Sequence, residues 1–197
     1  HDARDFLVTD PDCVPRTGQT PPCEEQWLVA RDGDEVAIAL YLDPQVLERL
    51  AAADPLERLT AANLADCWTA LEGVSHFHYL AFHAGHDHEV SRLELETQAE
   101  VDKYVATLSL LRQQAPQHFP RELHSILFDR TYVDPRLPGE RAALYRRASA
   151  YAARFCRRIE GRLKRPAEEI ARDMAAELRR FYRLTESRKP AHIDRCA

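Results

Sequence analysis

Residues 26–42 read Gln26-Trp27-Leu28-Val29-Ala30-Arg31-Asp32-Gly33-Asp34-Glu35-Val36-Ala37-Ile38-Ala39-Leu40-Tyr41-Leu42. Two apolar runs flank Asp32-Gly33, and this dipeptide is a strong hairpin signal because glycine tolerates the positive φ that hairpin turns need. By the two-residue period of a strand, one face of the second run carries Val36, Ile38, Leu40 and Leu42. The sequence therefore predicts a β-hairpin whose apolar face must be covered by other elements.

The rest of the chain supplies that cover. A short strand is predicted over 6–9, and the Pro-rich stretch 10–22 reads as a loop. From residue 43 onward, apolar side chains recur at helical spacing. This spacing predicts helices over 44–53, 60–84, 91–115, 121–130, 140–164 and 167–184. The third begins with a capping-box pair, Ser91 and Glu94.

The predicted fold class is α+β and predominantly helical, with an N-terminal β-hairpin or small antiparallel sheet packed on a bundle of five to six helices. A chain of 197 residues suits one domain, so we expect a single domain over 1–197. Its predicted parts are a β-rich part over 1–43, an acidic helical part over 44–133, a basic helical hairpin over 138–185 and a frayed tail over 186–197.

Composition excludes several classes of protein. At 45% hydrophobic and 30% charged residues, the chain is too apolar for a disordered protein. It also lacks the run of about 18 apolar residues that a membrane span needs. The stretch opening at His1 has no signal-peptide character, and the five cysteines form no C-x-x-C pair. We therefore expect a cytoplasmic protein with no membrane contact.

Charge is divided unevenly along the chain. Residues 1–135 carry 10 basic and 24 acidic side chains, whereas residues 136–197 carry 17 basic and 8 acidic ones. The net charges are −14 and +9. Such an asymmetry indicates either a basic binding surface or two parts of one fold that attract each other, and the second interpretation is favoured slightly.

A histidine-rich tract suggests a metal site. On one helix, Glu72, His76 and His83 fall within roughly 40° of one another at 100° per residue. A carboxylate and a histidine at i and i+4 can ligate one transition metal ion, and Glu94 of the next helix is the candidate further donor. The competing interpretation is a hydrogen-bonded polar seam between helices, since the Glu-x-x-His pair of dimetal bundles is absent.

The arginines of the 140–164 helix form the second candidate site. Arg147, Arg154 and Arg158 align on one face, and Tyr151 lies on the same helix. Such a row can bind a nucleic-acid backbone, another polyanion or an acidic partner protein. Charged helix faces are more often simply solvated. In the last predicted helix, Glu177 interrupts the apolar stripe, so its buried carboxyl group must be paired or remain protonated, and an arginine of the preceding helix is the expected partner.

No catalytic motif accompanies these features. The sequence contains no G-x-S-x-G, Walker A or G-x-G-x-x-G pattern, so no catalytic residue is assigned and an enzyme is the less favoured class. The leading hypothesis is a cytosolic, non-enzymatic interaction or regulatory protein that binds another protein and needs no cofactor. The alternatives are a metal-dependent helical-bundle enzyme using a divalent transition metal, and a nucleic-acid or polyanion binder.

Overall fold

A computed structural model describes residues 2–14, 23–33, 35–86, 88–129, 137–163 and 167–194. The fold is α+β and predominantly helical, as predicted. The chain divides into two compact units, the first over His1–Glu89 and the second over Val90–Ala197. Each unit has its own elements and its own packing.

The first unit contains the predicted hairpin. Strands β2 (Glu25–Asp32) and β3 (Glu35–Leu42) pair antiparallel from Asp32↔Glu35 to Glu25↔Leu42. The backbone of Gly33 has a φ of 58°, a conformation that side chains with a Cβ rarely adopt. The tight turn and the alternation of apolar residues thus produce the hairpin as the sequence indicates.

The predicted antiparallel hairpin is part of a mixed sheet, because a third strand adds to it in the parallel sense. Strand β1 (Leu7–Val8) pairs parallel with β3, in the order β1-β3-β2, with Leu7 opposite Leu40. Two residues of strand carry no pattern that encodes direction. The orientation depends on pairing between residues far apart in the chain, which local periodicity does not determine.

Helices α1 (Pro44–Ala52) and α2 (Leu64–Ala84) complete the first unit. The Asp43 side chain caps α1 by accepting a hydrogen bond from the Gln45 backbone N–H at 2.8 Å. The core forms where α2 covers the hairpin. It contains Leu40, Leu42 and Phe77, with Phe6, Ile38 and Val74 packed against them.

The second unit is built from helices alone among its described residues. They are α3 (Arg92–Gln114), α4 (Gly139–Leu163), α5 (Ala167–Tyr182) and α6 (Arg188–Asp194). The predicted capping box of α3 is confirmed, since Ser91 and Glu94 exchange side chain-to-backbone hydrogen bonds. Phe155 of α4 stacks on Phe181 of α5 with ring centroids 3.9 Å apart.

Two segments of the second unit differ from prediction. The tail predicted to fray over 186–197 forms α6 over Arg188–Asp194, because its side chains pack inward: Lys189, His192 and Ile193 are buried. The segment predicted as an α-helix over 121–130 instead contains a π-helical turn over Ser125–Asp129. Apolar spacing alone does not separate an α-turn from a π-turn.

Across the described residues, no helix is long and apolar enough to cross a bilayer.

Lys189 is a deeply buried cation of the second unit, with only 2% of its surface exposed. Its Nζ donates a hydrogen bond to Gln98 Oε1 at 3.3 Å and lies 4.7 Å from the centre of the Phe181 ring. Gln98 in turn donates to Asp102 at 2.9 Å. Burial lowers the pKa of Lys189 to about 8, although Glu94 and Asp102 act in the opposite direction.

Substitution of Lys189 by methionine should flatten the pH dependence of stability in alkaline solution. The pKa of Lys189 is about 8 in the folded protein and ordinarily 10.5. The unfolded chain therefore binds a proton that the folded protein has released between these values. The free energy of unfolding then increases with pH across this window.

The measurement is urea unfolding of wild type and Lys189→Met at intervals from pH 7.5 to 10.5. The free energy of unfolding at each pH is obtained by linear extrapolation to zero urea. The quantity compared is the difference between the two proteins, which cancels titration of the tyrosines and thiols. A difference that stays constant over this range would mean that Lys189 keeps its ordinary pKa.

Candidate functional site

Three ligand-type side chains converge in the first unit. Glu25 from β2, Glu72 and His76 from α2 each offer one donor atom, and these atoms lie within 4.8 Å of one another. The His76 Nδ1 lies 3.2 Å from Glu25 Oε1, and the two side chains are 3% and 14% exposed. A strand and a helix far apart in sequence thus build one largely buried cluster.

Gly73 allows the strand to come this close to the helix. A Cβ added at Gly73 would lie 2.6 Å from Leu40 Cδ1 and 2.8 Å from Glu25 Cγ. Glycine in the middle of a helix costs about 1 kcal/mol relative to alanine. The hairpin side chains occupy the space that alanine would fill, which accounts for a glycine at this position.

The histidine-rich tract is divided by the fold. Of the four predicted ligands, the structure brings Glu72 and His76 together. The imidazole of His83 instead packs against the rings of Tyr79 and His88, with centroids 4.3 and 4.8 Å away. His83 follows His76 by seven residues, which is about 10.5 Å along a helix axis. The shared angular direction of these two histidines therefore does not bring them to one ion.

Glu94 belongs to the second unit. One of its carboxylate oxygens accepts a hydrogen bond from the Ser91 backbone N–H at 2.9 Å, closing the capping box of α3. The carboxylate therefore has a structural task at the start of its own helix. Glu25 is the carboxylate that the structure adds to the predicted pair.

Sequence reasoning missed Glu25, although the sequence carries a signal for it. Glu25 is opposite Leu42 in the hairpin register, so it lies on the face of β2 that α2 covers. A charged residue on a core-facing strand position and a glycine inside the covering helix are both unusual. Together they indicate a polar contact between the two elements, but they do not say which helix turn provides it.

The chemistry of the cluster suits a divalent transition metal. Zinc binds histidine nitrogen and carboxylate oxygen at roughly 2.0–2.2 Å, and the edges of such a tetrahedron are about 3.3 Å long. The 3.2 Å between His76 and Glu25 matches one edge. The remaining donor atom, from Glu72, lies within 4.8 Å of the other two. Without a metal, the same contact is a hydrogen bond between imidazole and carboxylate.

Comparison of the chain with protein-family models, with curated proteins and with solved structures gives no match.

The arginines of the α4 row form ion pairs with carboxylates of the second unit. The Arg158 guanidinium forms an ion pair with Glu177 of α5 and donates a hydrogen bond to the His192 carbonyl oxygen at 2.9 Å. The His192 Nε2 lies 2.7 Å from the same Glu177 oxygen. Arg158 and Glu177 are 11% and 13% exposed, so this group joins α4, α5 and α6 inside the protein. The arginine partner expected for Glu177 is thus Arg158.

The other members of the row lie nearer the surface. Arg147 pairs with Glu186 at 3.7 Å and Arg154 with Asp194 at 3.0 Å, and all four side chains are about half exposed. The Arg154 guanidinium also lies 5.2 Å from the centre of the Tyr151 ring. The carboxylates facing the row come from the C-terminal segment. These two ion pairs connect α4 to the C-terminal segment for which the sequence predicts fraying.

Substitution of Glu177 by glutamine should destabilise the second unit strongly. It leaves the buried Arg158 guanidinium without its counter-charge, and breaking a buried pair typically costs about 3–5 kcal/mol. The matched control is Arg154→Gln, which breaks an exposed pair and should cost less than about 1 kcal/mol. Both are measured as the change in the free energy of unfolding in urea. Equal losses of unfolding free energy in the two variants would contradict a central role for the Arg158–Glu177 pair.

Proposed function

We propose that this chain is a metal-dependent protein that binds one divalent transition metal ion through Glu25, Glu72 and His76. The observation that carries the proposal is the convergence of three donor atoms within 4.8 Å, from two elements that are distant in sequence. This is the metal-binding alternative of the sequence analysis, with Glu25 in the place of His83 and Glu94.

The donor set favours zinc or another late first-row ion. Imidazole suits zinc, iron and nickel, while two carboxylates neutralise the charge of a divalent cation in a site with little water around it. Three protein ligands leave a fourth coordination position. Catalytic zinc sites have this arrangement, whereas structural zinc sites have four protein ligands. The coordination number therefore supports a metalloenzyme more than a purely structural ion.

The ion would also join the hairpin to α2. Glu25 lies on β2, and Glu72 and His76 lie on α2. A ligand that binds only the folded protein stabilises it by about 2.7 kcal/mol when its concentration is one hundred times the dissociation constant. Metal binding is thus coupled to the packing of the first unit.

The interaction or regulatory role with a protein partner and the cytoplasmic location stay predictions. They depend on the charge asymmetry and on the cysteine pattern of the sequence. Arg158, one of the residues proposed for a polyanion or a partner, is only 11% exposed and pairs with Glu177, so the row is less suited to an extended binding surface.

The proposal is tested by titrating metal-free protein with Zn²⁺ in a calorimeter and with Co²⁺ under an absorption spectrometer. We expect one ion per chain, and visible Co²⁺ bands of a site with fewer than six ligands. Glu25→Gln and His76→Gln should each weaken binding by more than the roughly 10–100-fold that loss of an outer-shell partner costs. Circular dichroism checks that the variants stay folded.

Three controls separate this site from weaker ones. His78→Gln changes an exposed histidine of the same helix, and the double substitution of His86 and His88 by glutamine removes the pair beyond its end. His83→Gln tests the ligand set expected from the sequence. All three should retain the ion. Loss of binding in the His86/His88 variant, with retention in Glu25→Gln, would place the metal at these two histidines and overturn the proposal.

Substitution of Gly73 by alanine should weaken Zn²⁺ binding and lower the thermal unfolding midpoint, although alanine is the better helix former. The added methyl group would displace Leu40 and Glu25. Gly85→Ala is the matched control, because a Cβ there meets only backbone oxygens at the ordinary distance of 3.6 Å. A Gly73→Ala protein that is more stable and binds Zn²⁺ as tightly as wild type would show that the close approach is not needed.

A further inference from the structure

A cavity in the second unit has the residues of an anion-binding site. Its volume is about 820 Å³, within the range of small-molecule pockets. Its cationic and aromatic lining side chains are Arg112, Arg121, Arg157, His118, His124 and Phe119. It shares no residue with the metal-ligand cluster, and its arginines are not those of the Arg147, Arg154 and Arg158 row.

The guanidiniums approach the cavity from different parts of the unit. Arg112 lies near the end of α3, Arg121 in the following turn and Arg157 on α4. Two carboxylates, Asp129 and Glu160, also line the cavity. Among the described residues, neither Arg121 nor Arg157 forms an ion pair with a carboxylate, so both guanidiniums can bind a ligand.

His124 holds Arg157 in place. The imidazole is buried, and its Nε2 lies 2.9 Å from the Ala153 carbonyl oxygen, which can only accept a hydrogen bond. The Nε2 therefore carries the proton, and the neutral ring presents Nδ1 as an acceptor. Arg157 Nη2 donates to this Nδ1 at 2.9 Å. Two hydrogen bonds thus fix the His124 ring, and one of them holds the Arg157 guanidinium at the cavity wall.

The wall next to His124 is the π-helical turn over Ser125–Asp129, and both of its end residues line the cavity. Such turns are rare and occur frequently at functional sites. The ring of His124 packs against Phe128 of this turn, with centroids 4.8 Å apart. His124 therefore connects the π-helical turn to Arg157. This geometry is an observation separate from the charge of the residues that line the cavity.

We propose that this cavity binds a small organic phosphate, with Arg121 and Arg157 holding the phosphate group and Phe119 contacting the organic part. Guanidinium forks match phosphate oxygens, and donors from several directions suit a tetrahedral anion better than a planar carboxylate. The volume exceeds what inorganic phosphate needs, which leaves room for an organic body beside the aromatic ring.

The test is calorimetric titration of the full chain with inorganic phosphate, pyrophosphate and adenosine monophosphate at fixed ionic strength. We expect saturable 1:1 binding, tightest for a probe that carries an organic body. Arg157→Gln and Arg121→Gln should each weaken it by about ten- to hundred-fold, the loss expected for a charge-assisted hydrogen bond. His124→Phe keeps an aromatic ring but removes the acceptor, and should weaken binding while preserving 1:1 stoichiometry.

Arg146→Gln is the matched control, since it removes an exposed arginine of the same helix outside the cavity. It should bind the probes as wild type does. An equal loss in Arg146→Gln and Arg157→Gln would show a general charge effect and overturn the proposal. So would the absence of saturable binding to all three probes. Displacement of the probes by a short DNA duplex with a steep salt dependence would assign the arginines to a polyanion instead.

Discussion

A charge removed from water must be compensated inside the protein, and this requirement governs the interior of both units. Arg158 on α4 forms an ion pair with Glu177 on α5, and the same guanidinium donates a hydrogen bond to the His192 carbonyl oxygen on α6. In the first unit, Glu25 on β2 lies against His76 on α2. Each buried polar contact joins elements that apolar packing alone would allow to slide past one another.

The features of the fold that the sequence predicts correctly are local ones. The turn at Gly33 and the capping box between Ser91 and Glu94 involve residues a few positions apart, so their chemistry is visible in the sequence. The parallel pairing of Leu7 with Leu40 and the burial of Lys189 depend on residues far apart along the chain. Periodicity identifies an element, but it does not say what that element will pack against.

The candidate site shows the same limit. A helical projection groups Glu72, His76 and His83 because it records direction around the axis and ignores the rise along it. In the structure, Glu72 and His76, which are one helical turn apart, lie together, and the third donor is Glu25 from a strand. Glu177 carries a clearer signal, because a carboxylate in an apolar stripe needs a partner whatever the topology. The identity of that partner, Arg158, required the helix packing.

Gly73 has a consequence for how the first unit assembles. Glycine weakens the centre of α2 in an isolated chain, and an added Cβ at this point would meet Leu40 and Glu25 of the hairpin. The helix therefore gains its full stability only when the hairpin is present, and the hairpin loses its cover if the helix opens there. Strand and helix form one cooperative unit, whose local openings involve both elements together.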